Sequence, residues 1–199
     1  MLFLCSLVLN CAQMAMAWSY HSFAYGYSIS LPEDWVHVPE EVLSAQLHRL
    51  PDIGGVRGRV DVAFQAKRDN TIDFPFIIVE VFPYSQFGYP RQVDDREIRQ
   101  IVRNSTGLDP SNPFVPETRV VEGGGEAEVI AGGLHFDAEG RNFVWSSTSS
   151  MEGVGLIRAR QWGFFGKDAL VQVTLFEKGK GSDRLRDMAE AIAGSFKFE

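Results

Sequence analysis

Four strand-length segments follow one another in the last third of the chain: Glu128 to Asp137, Asn142 to Ser150, Val154 to Phe165 and Ala169 to Glu177. Short turn signals separate them, at Glu139-Gly140, Glu152-Gly153 and Gly166-Lys167-Asp168. Connections this short join only antiparallel neighbours, because a parallel crossover needs a dozen residues or more. A strand meander is therefore the frame, and the rest of the chain must extend it or cover it.

The remaining segments read in the same way. Tyr25 to Leu31 is a strand stopped by Pro32, and Pro39-Glu40-Glu41 opens a helix reaching about Leu50, with acids beside the positive end of its dipole. Val42, Leu43, Leu47 and Leu50 give that helix one apolar side. From Arg59 to Lys67 the chain alternates, Val60, Val62, Phe64 and Ala66 against Arg59, Asp61, Ala63 and Gln65. Phe74 to Phe82 is apolar on both parities apart from Glu80, the pattern of a central strand covered on both faces. Asp94 to Asn104 predicts a second helix, and Leu108 to Gly125 an irregular connection. Ser182 caps a last helix whose Leu185, Met188, Ala189 and Ile192 share a face; Gly194 ends it, and Ser195 to Phe198 closes as a strand. The expected fold is α+β, an α/β/α sandwich around a central, mainly antiparallel twisted sheet.

Residues 1–17 carry no charge, whereas all 19 basic and 26 acidic residues lie beyond them. An apolar run, Leu2 to Leu9, leads to Ala15-Met16-Ala17, an A-x-A box before Trp18. This is the anatomy of a secretory signal peptide, although no Lys or Arg follows Met1. The run is interrupted by Asn10 and Gln13 and is too short to span a bilayer. The expected organisation is a leader, 1–17, and a single domain, 18–199, with no transmembrane anchor after cleavage. The expected location is periplasmic or extracellular, or the thylakoid lumen for a photosynthetic source. Both cysteines, Cys5 and Cys11, fall in the leader, so the mature chain would have no thiol. A lipidated Cys11 is the competing reading, but Val8-Leu9-Asn10 lacks the small residue expected just before it. The net charge of −7 argues against nucleic acid, whose binding needs a basic surface that displaces counterions.

The stretch YGYSISLPEDW, residues 25–35, resembles the opening of PsbP-like and Mog-type domains, in which a Gly-aromatic strand runs into Leu-Pro-x-x-Trp. The closing helix followed by Ala193-Gly194-Ser195-Phe196-Lys197-Phe198 is similar to their ending. The two blocks bracket residues 22–198. The resemblance implies an α/β/α sandwich and an exported, non-enzymatic accessory role with a protein partner. It places no ligand or contact residue of the family on this chain.

Two segments stand out for recognition. Phe82 to Arg91 packs Tyr84, Phe87, Tyr89 and Arg91 into a strand-to-helix connection, and aromatics with Arg are enriched at binding hot spots. Tyr84 and Tyr89 are expected at the surface and Phe87 in the core. Along Val154 to Phe165, one parity carries Arg158, Arg160 and Trp162, a face on which a small-ligand carrier could be built; Gln172 and Thr174 of the next strand are expected to extend it. His135 and Asp137 alternate on one strand face, but the Glu139-Gly140 turn removes the third ligand, so neither metal nor cofactor is expected. No G-x-S-x-G elbow accompanies the serine-rich run 146–150, which leaves a hydrolase, using a serine with His135, a distant third reading.

Overall fold

The computed structural model describes residues 16–46, 58–66, 74–87, 96–97, 100, 118–120, 128–136, 142–151, 155–179 and 182–199. In chain order the elements are β1 (Met16–Ser22), β2 (Tyr27–Pro32), β3 (Val36–His37), α1 (Glu40–Gln46), β4 (Arg59–Gln65), β5 (Phe76–Pro83), a 3-10 turn (Tyr84–Phe87), β6 (Thr118–Val120), β7 (Glu128–Phe136), β8 (Asn142–Met151), β9 (Gly155–Phe165), β10 (Ala169–Lys178), α2 (Asp183–Gly194) and β11 (Lys197–Phe198). Two antiparallel sheets and two helices make this an α+β arrangement among the described residues. The leader up to Ala15 and nearly all of the helix expected over 94–104 lie outside them; Arg96, Glu97 and Gln100 of that helix are helical.

The expected meander is present. β7, β8, β9 and β10 are consecutive neighbours, and the eight-stranded sheet runs β3-β4-β5-β10-β9-β8-β7-β6. β5 sits inside it, paired with both β4 and β10, and Phe76 to Val79 are fully buried, as its unbroken apolar run requires. β1, absent from the sequence-based reading, pairs with β2 through a turn in which Gly26 takes φ 62°. Its residues alternate as a half-covered strand should: Met16, Trp18 and Tyr20 turn inward while Ala17, Ser19 and His21 face solvent. β11 joins the other edge of β2, completing a three-stranded sheet.

One face of the large sheet presents Val62, Phe64, Ile77, Val79, Val81, Trp162, Val171, Val173 and Leu175. Against it pack Tyr27, Ile29 and Leu31 of β2, Trp35, and Met188, Ala189, Ile192 and Ala193 of α2. The layer on that face is thus strand and helix together rather than helix alone. Ser182 caps α2 as its sequence position predicts: its Oγ accepts the Leu185 N–H at 3.1 Å, an interaction worth about 1 kcal/mol. On the opposite face Ala63, Phe76, Ile78, Ile157, Ala159 and Phe176 pack with Val38 and with Leu43 of α1.

β4 departs from simple alternation. A register shift between Val60 and Val62 places Asp61 in a bulge. The extra residue reverses the parity beyond it, so Val62 and Phe64 face the β2 and α2 side while Val60 faces the other; Ala63 and Gln65, on the polar side of the sequence pattern, are buried because that second face is covered as well.

Candidate functional site

Strand β9 emerges from beneath α2 one residue pair at a time. On the face covered by α2, Trp162 is buried, Arg160 half-buried, and Arg158 and Leu156 exposed. The Arg160 guanidinium lies 5.6 Å from the Trp162 ring centroid, a cation–π contact. Its Nη2 also donates to Glu190 Oε1 of α2 at 2.8 Å. On β10, Glu177 is the pairing partner of Arg158, and Arg160 pairs with Leu175, so both arginines border the Glu177 carboxylate. Burial pushes the Glu177 carboxyl up, against the opposing pull of Arg158, a backbone hydrogen bond from Ser182, and Arg160.

This shoulder holds an unmet pair of polar atoms. Arg160 Nε and Glu177 Oε1 are both shielded from solvent and have no hydrogen-bond partner. One is a donor and the other an acceptor.

Other sequence-predicted residues fall elsewhere. Trp162 is a core side chain, 6% exposed and covered by Arg160, so it offers no open aromatic floor to a ligand. Gln172 and Thr174 do not extend the arginine face. They pair with Gly163 and Gln161, so the pleat points them to the opposite side of the sheet. Tyr84 is 1% exposed rather than at the surface: its hydroxyl donates to the Gly166 carbonyl at 2.8 Å and its N–H to the Asp168 carbonyl at 3.1 Å. It pins the end of β5 to the β9–β10 turn. The Phe87 side chain, Tyr89, Arg91 and Asp137 lie outside the described residues, and His135 is placed by its backbone alone, opposite Val144. On β8, Ser146 pairs with Arg160 and Ser147 with Ala159. Among the described residues no group of three or more His, Cys, Asp or Glu side chains forms a metal cluster.

Two polar clusters escaped the sequence reading. In the first, Asp61 in its bulge accepts from Tyr27 Oη at 2.6 Å and from Tyr20 Oη at 3.5 Å, and burial together with this carboxylate holds both phenols above their ordinary range. In the second, on the face opposite the arginines, Gln161 Nε2 donates to Gln172 Oε1, with Thr174 beside them. Gln161 Oε1, Gln172 Nε2 and Thr174 Oγ1 are buried without partners. Leaving such groups unmet costs about 1–3 kcal/mol apiece, a large share of the roughly 5–15 kcal/mol that stabilises a domain. Composition gave no signal for either cluster, because the first is assembled by the packing of one sheet on the other and the second by strand register.

Among the described residues no helix is long and apolar enough to cross a membrane. No family model matches the chain, and no curated protein matches it. Solved structures similar to it include the solution structure of cyanobacterial PsbP (CyanoP) from Synechocystis sp. PCC 6803, at 15% identity and TM-score 0.47, covering 96% of this chain and 99% of that one. Another is LpqN of Mycobacterium tuberculosis, described as involved in cell envelope biogenesis, at 15% identity and TM-score 0.43, covering 90% and 88%. A Bacteroides thetaiotaomicron protein is similar at 11% identity and TM-score 0.47, this chain spanning 49% of it. A PsbP stands among these three structures; a Mog-type protein does not.

Proposed function

We propose that this protein is an exported accessory module that acts by binding a protein partner rather than by catalysis, through the shoulder of Leu156, Arg158, Arg160, Glu177 and Glu190. The observation that carries the reading is the unmet pair at the shoulder, Arg160 Nε–H and Glu177 Oε1. Both stand beside an exposed arginine and an exposed leucine on the same strand face. Arginine beside an apolar side chain is the composition of interface hot spots, and a polypeptide backbone supplies a donor and an acceptor together. The closed Trp162 ring favours a surface contact over a carrier that stacks its ligand on that ring. Export is supported by the A-x-A box and by the setting of Trp18, the residue after it. Trp18 donates its indole N–H to the Trp35 carbonyl at 3.1 Å and packs edge-on against Phe64, so a chain starting at Trp18 keeps its first large side chain half-buried against the core.

One experiment tests both parts. The chain carrying a photo-crosslinking residue, Leu156→p-benzoylphenylalanine, is expressed from its own leader, irradiated, and analysed by mass spectrometry from the exported fraction. The expected result is a mature chain beginning at Trp18 and one discrete protein adduct, reduced at least tenfold by Arg158→Glu. An intact Met1 refutes export. An adduct equally strong when the same residue replaces Arg184, exposed on α2, refutes the shoulder.

A further inference from the structure

The outer edge of β1 is a surface independent of the shoulder. β1 ends the three-stranded sheet β1-β2-β11, and no strand among the described residues lies beyond it. Two hydrogen bonds fix which way its backbone groups point. On β2 the Ser30 N–H donates to Ser195 Oγ at 2.8 Å, and just before β2 the Gly26 carbonyl accepts the Glu199 N–H at 2.9 Å, so both residues turn their backbone towards the β11 side. Backbone direction alternates along an antiparallel strand, which leaves Tyr27, Ile29 and Leu31 to bond β1. Their partners there are Ser22, Tyr20 and Trp18. The intervening residues, Ser19 and His21, therefore aim their N–H and C=O groups away from β2, at the open edge. Both residues are exposed, and these four groups have no hydrogen-bond partner among the described residues.

Sheet edges are normally blunted by brevity, charge or proline, because a free edge is a template for another strand. The other three edges among the described residues follow that rule. β3 is two residues long and lies between Asp34 and Pro39; β11 is two residues long, with Lys197 in it and Glu199 after it; β6 is three residues long, with Arg119 at its centre. The edge of β1 does not. Trp18-Ser19-Tyr20-His21-Ser22 contains no Asp, Glu, Lys, Arg or Pro. Its side chains are anchored: Trp18 bonds the Trp35 carbonyl, Ser19 Oγ meets Ser30 Oγ at 3.0 Å, and Tyr20 packs edge-on against Phe64. A strand already ordered in this way loses little further conformational freedom when another joins it.

The strand that fits this edge follows from its own symmetry. Laid antiparallel to itself about Tyr20, the segment sets Ser19 against His21 of the second copy and His21 against Ser19 of the second copy. These are the two residues whose backbone faces outward, so both positions become hydrogen-bonded pairs and all four open groups are met. Tyr20 then meets Tyr20 of the second copy on the axis as a non-hydrogen-bonded pair, the closer of the two kinds, and aromatic pairs of this kind are among the stabilising cross-strand contacts. Trp18 falls opposite Ser22. With no acid or base in the segment, the two-fold axis opposes no like charges across the pair. The pairing uses no residue before Trp18, so it is open to a chain that begins there.

We propose that the β1 edge, Trp18 to Ser22, is the interface of a homodimer, in which β1 of a second copy pairs antiparallel about Tyr20 and joins the two small sheets into one of six strands, β11-β2-β1-β1-β2-β11.

The test uses the chain expressed from its own leader and purified, followed by sedimentation velocity and by amide hydrogen exchange from about 10 μM to about 1 mM. The expected result is a mass that rises with concentration to that of two chains, while the Ser19 and His21 amides slow at least tenfold and the Ala24 amide of the exposed turn does not. Ser19→Pro removes an N–H that points outward and takes no part in the β1–β2 ladder, so it should fold and weaken the dimer about tenfold or more, one bond being lost from each copy. Ser19→Ala keeps the N–H and should dimerise within about threefold of the parent; thermal melts establish that both variants fold. The proposal is overturned by a chain that stays monomeric to about 1 mM, or by Ser19→Pro dimerising as well as the parent. Should Ser19→Pro fail to fold, a dimer of the parent chain whose Ser19 and His21 amides exchange as fast as those of the monomer overturns it as well. Slow exchange of both amides in the monomer would mean that the chain covers this edge itself, and equally overturns it.

Discussion

Replacing Tyr27 by Phe isolates a single oxygen in the seam between the two sheets. The Tyr27 ring is fully buried and stacks on Phe196 at a centroid distance of 5.3 Å, contacts that phenylalanine keeps. What is lost is the 2.6 Å hydrogen bond to Asp61 Oδ2. Hydrogen bonds to a charged group contribute about 1.5–3 kcal/mol, and the remaining donor, Tyr20, stands at 3.5 Å, too far to replace it. Urea melts should therefore show Tyr27→Phe less stable by about 2 kcal/mol with an unchanged denaturant slope, and Tyr20→Phe by about 0.5 kcal/mol or less. A double-mutant cycle of Tyr27→Phe with Asp61→Ala should return a coupling above about 1 kcal/mol. The alkaline limb gives a second readout. The folded phenol is held above its ordinary value of 10.0 by burial first and Asp61 second, so the unfolded chain releases its proton before the folded one. The stabilisation is complete below pH about 10 and declines as pH rises further, by up to about 1.4 kcal/mol per pH unit for each such phenol. Tyr27→Phe should make that decline visibly shallower. A loss below about 0.5 kcal/mol for Tyr27→Phe, or an unchanged alkaline slope, would refute the bulge carboxylate as the anchor of this seam.

Two other outcomes follow from the same kind of geometry. Glu177→Gln keeps an acceptor for the Ser182 N–H and removes a carboxylate whose burial raises its pKa, so the parent chain should lose stability as pH rises from its ordinary 4.5 through the raised value. The variant should melt at or above the parent at neutral pH and lack that decline; a markedly lower melt would show that the charge attraction of Arg158 and Arg160 outweighs burial. Tyr84→Phe should cost about 1 kcal/mol, for the bond to the Gly166 carbonyl, and Tyr84→Ala about 3–5 kcal/mol, both by urea melts; losses under half a kcal/mol for both would return Tyr84 to the surface.

Legibility followed the range of the information. Local signals carry the strand order of the meander, the Ser182 cap, and the doubly apolar run of β5, while the Glu139-Gly140 and Glu152-Gly153 turns lie outside the described residues. The YGYSISLPEDW block was legible as a block, and the structure gives its residues architectural work. Gly26 takes the left-handed turn, Tyr27 bonds Asp61, Ile29 and Leu31 fill the core, and the Trp35 carbonyl receives the Trp18 indole. A resemblance carried by such residues speaks of how a hairpin is closed, and for that reason points to no site. The errors arise where one residue changes the meaning of its neighbours. Alternation counted through β4 puts Asp61 and Gln65 outside, but one extra residue at the bulge sends Asp61 to two phenols, and the covering of the second face buries Gln65. Gln172 and Thr174 read as surface polars beside two arginines until pairing sets Val173 against Trp162, which turns them to the other face. β1 has no counterpart in a reading that assigns residues 1–17 to a leader, since its first two residues, Met16 and Ala17, fall there, although MAWSYHS alternates inward and outward side chains.

The shoulder and the amide cluster differ in how far the sequence reveals them. The shoulder was legible because its arginines are charged and repeat along one strand, so period and composition agree. The amide cluster has no such redundancy: Gln161 and Gln172 are eleven positions apart and of a type usually solvated, and only the register of β9 against β10 makes them neighbours. A buried amide pair with open valences is therefore a statement of tertiary structure alone. It is also where selection for folding by itself would favour leucine and valine, since apolar replacements of similar shape remove the unmet groups without loss of packing.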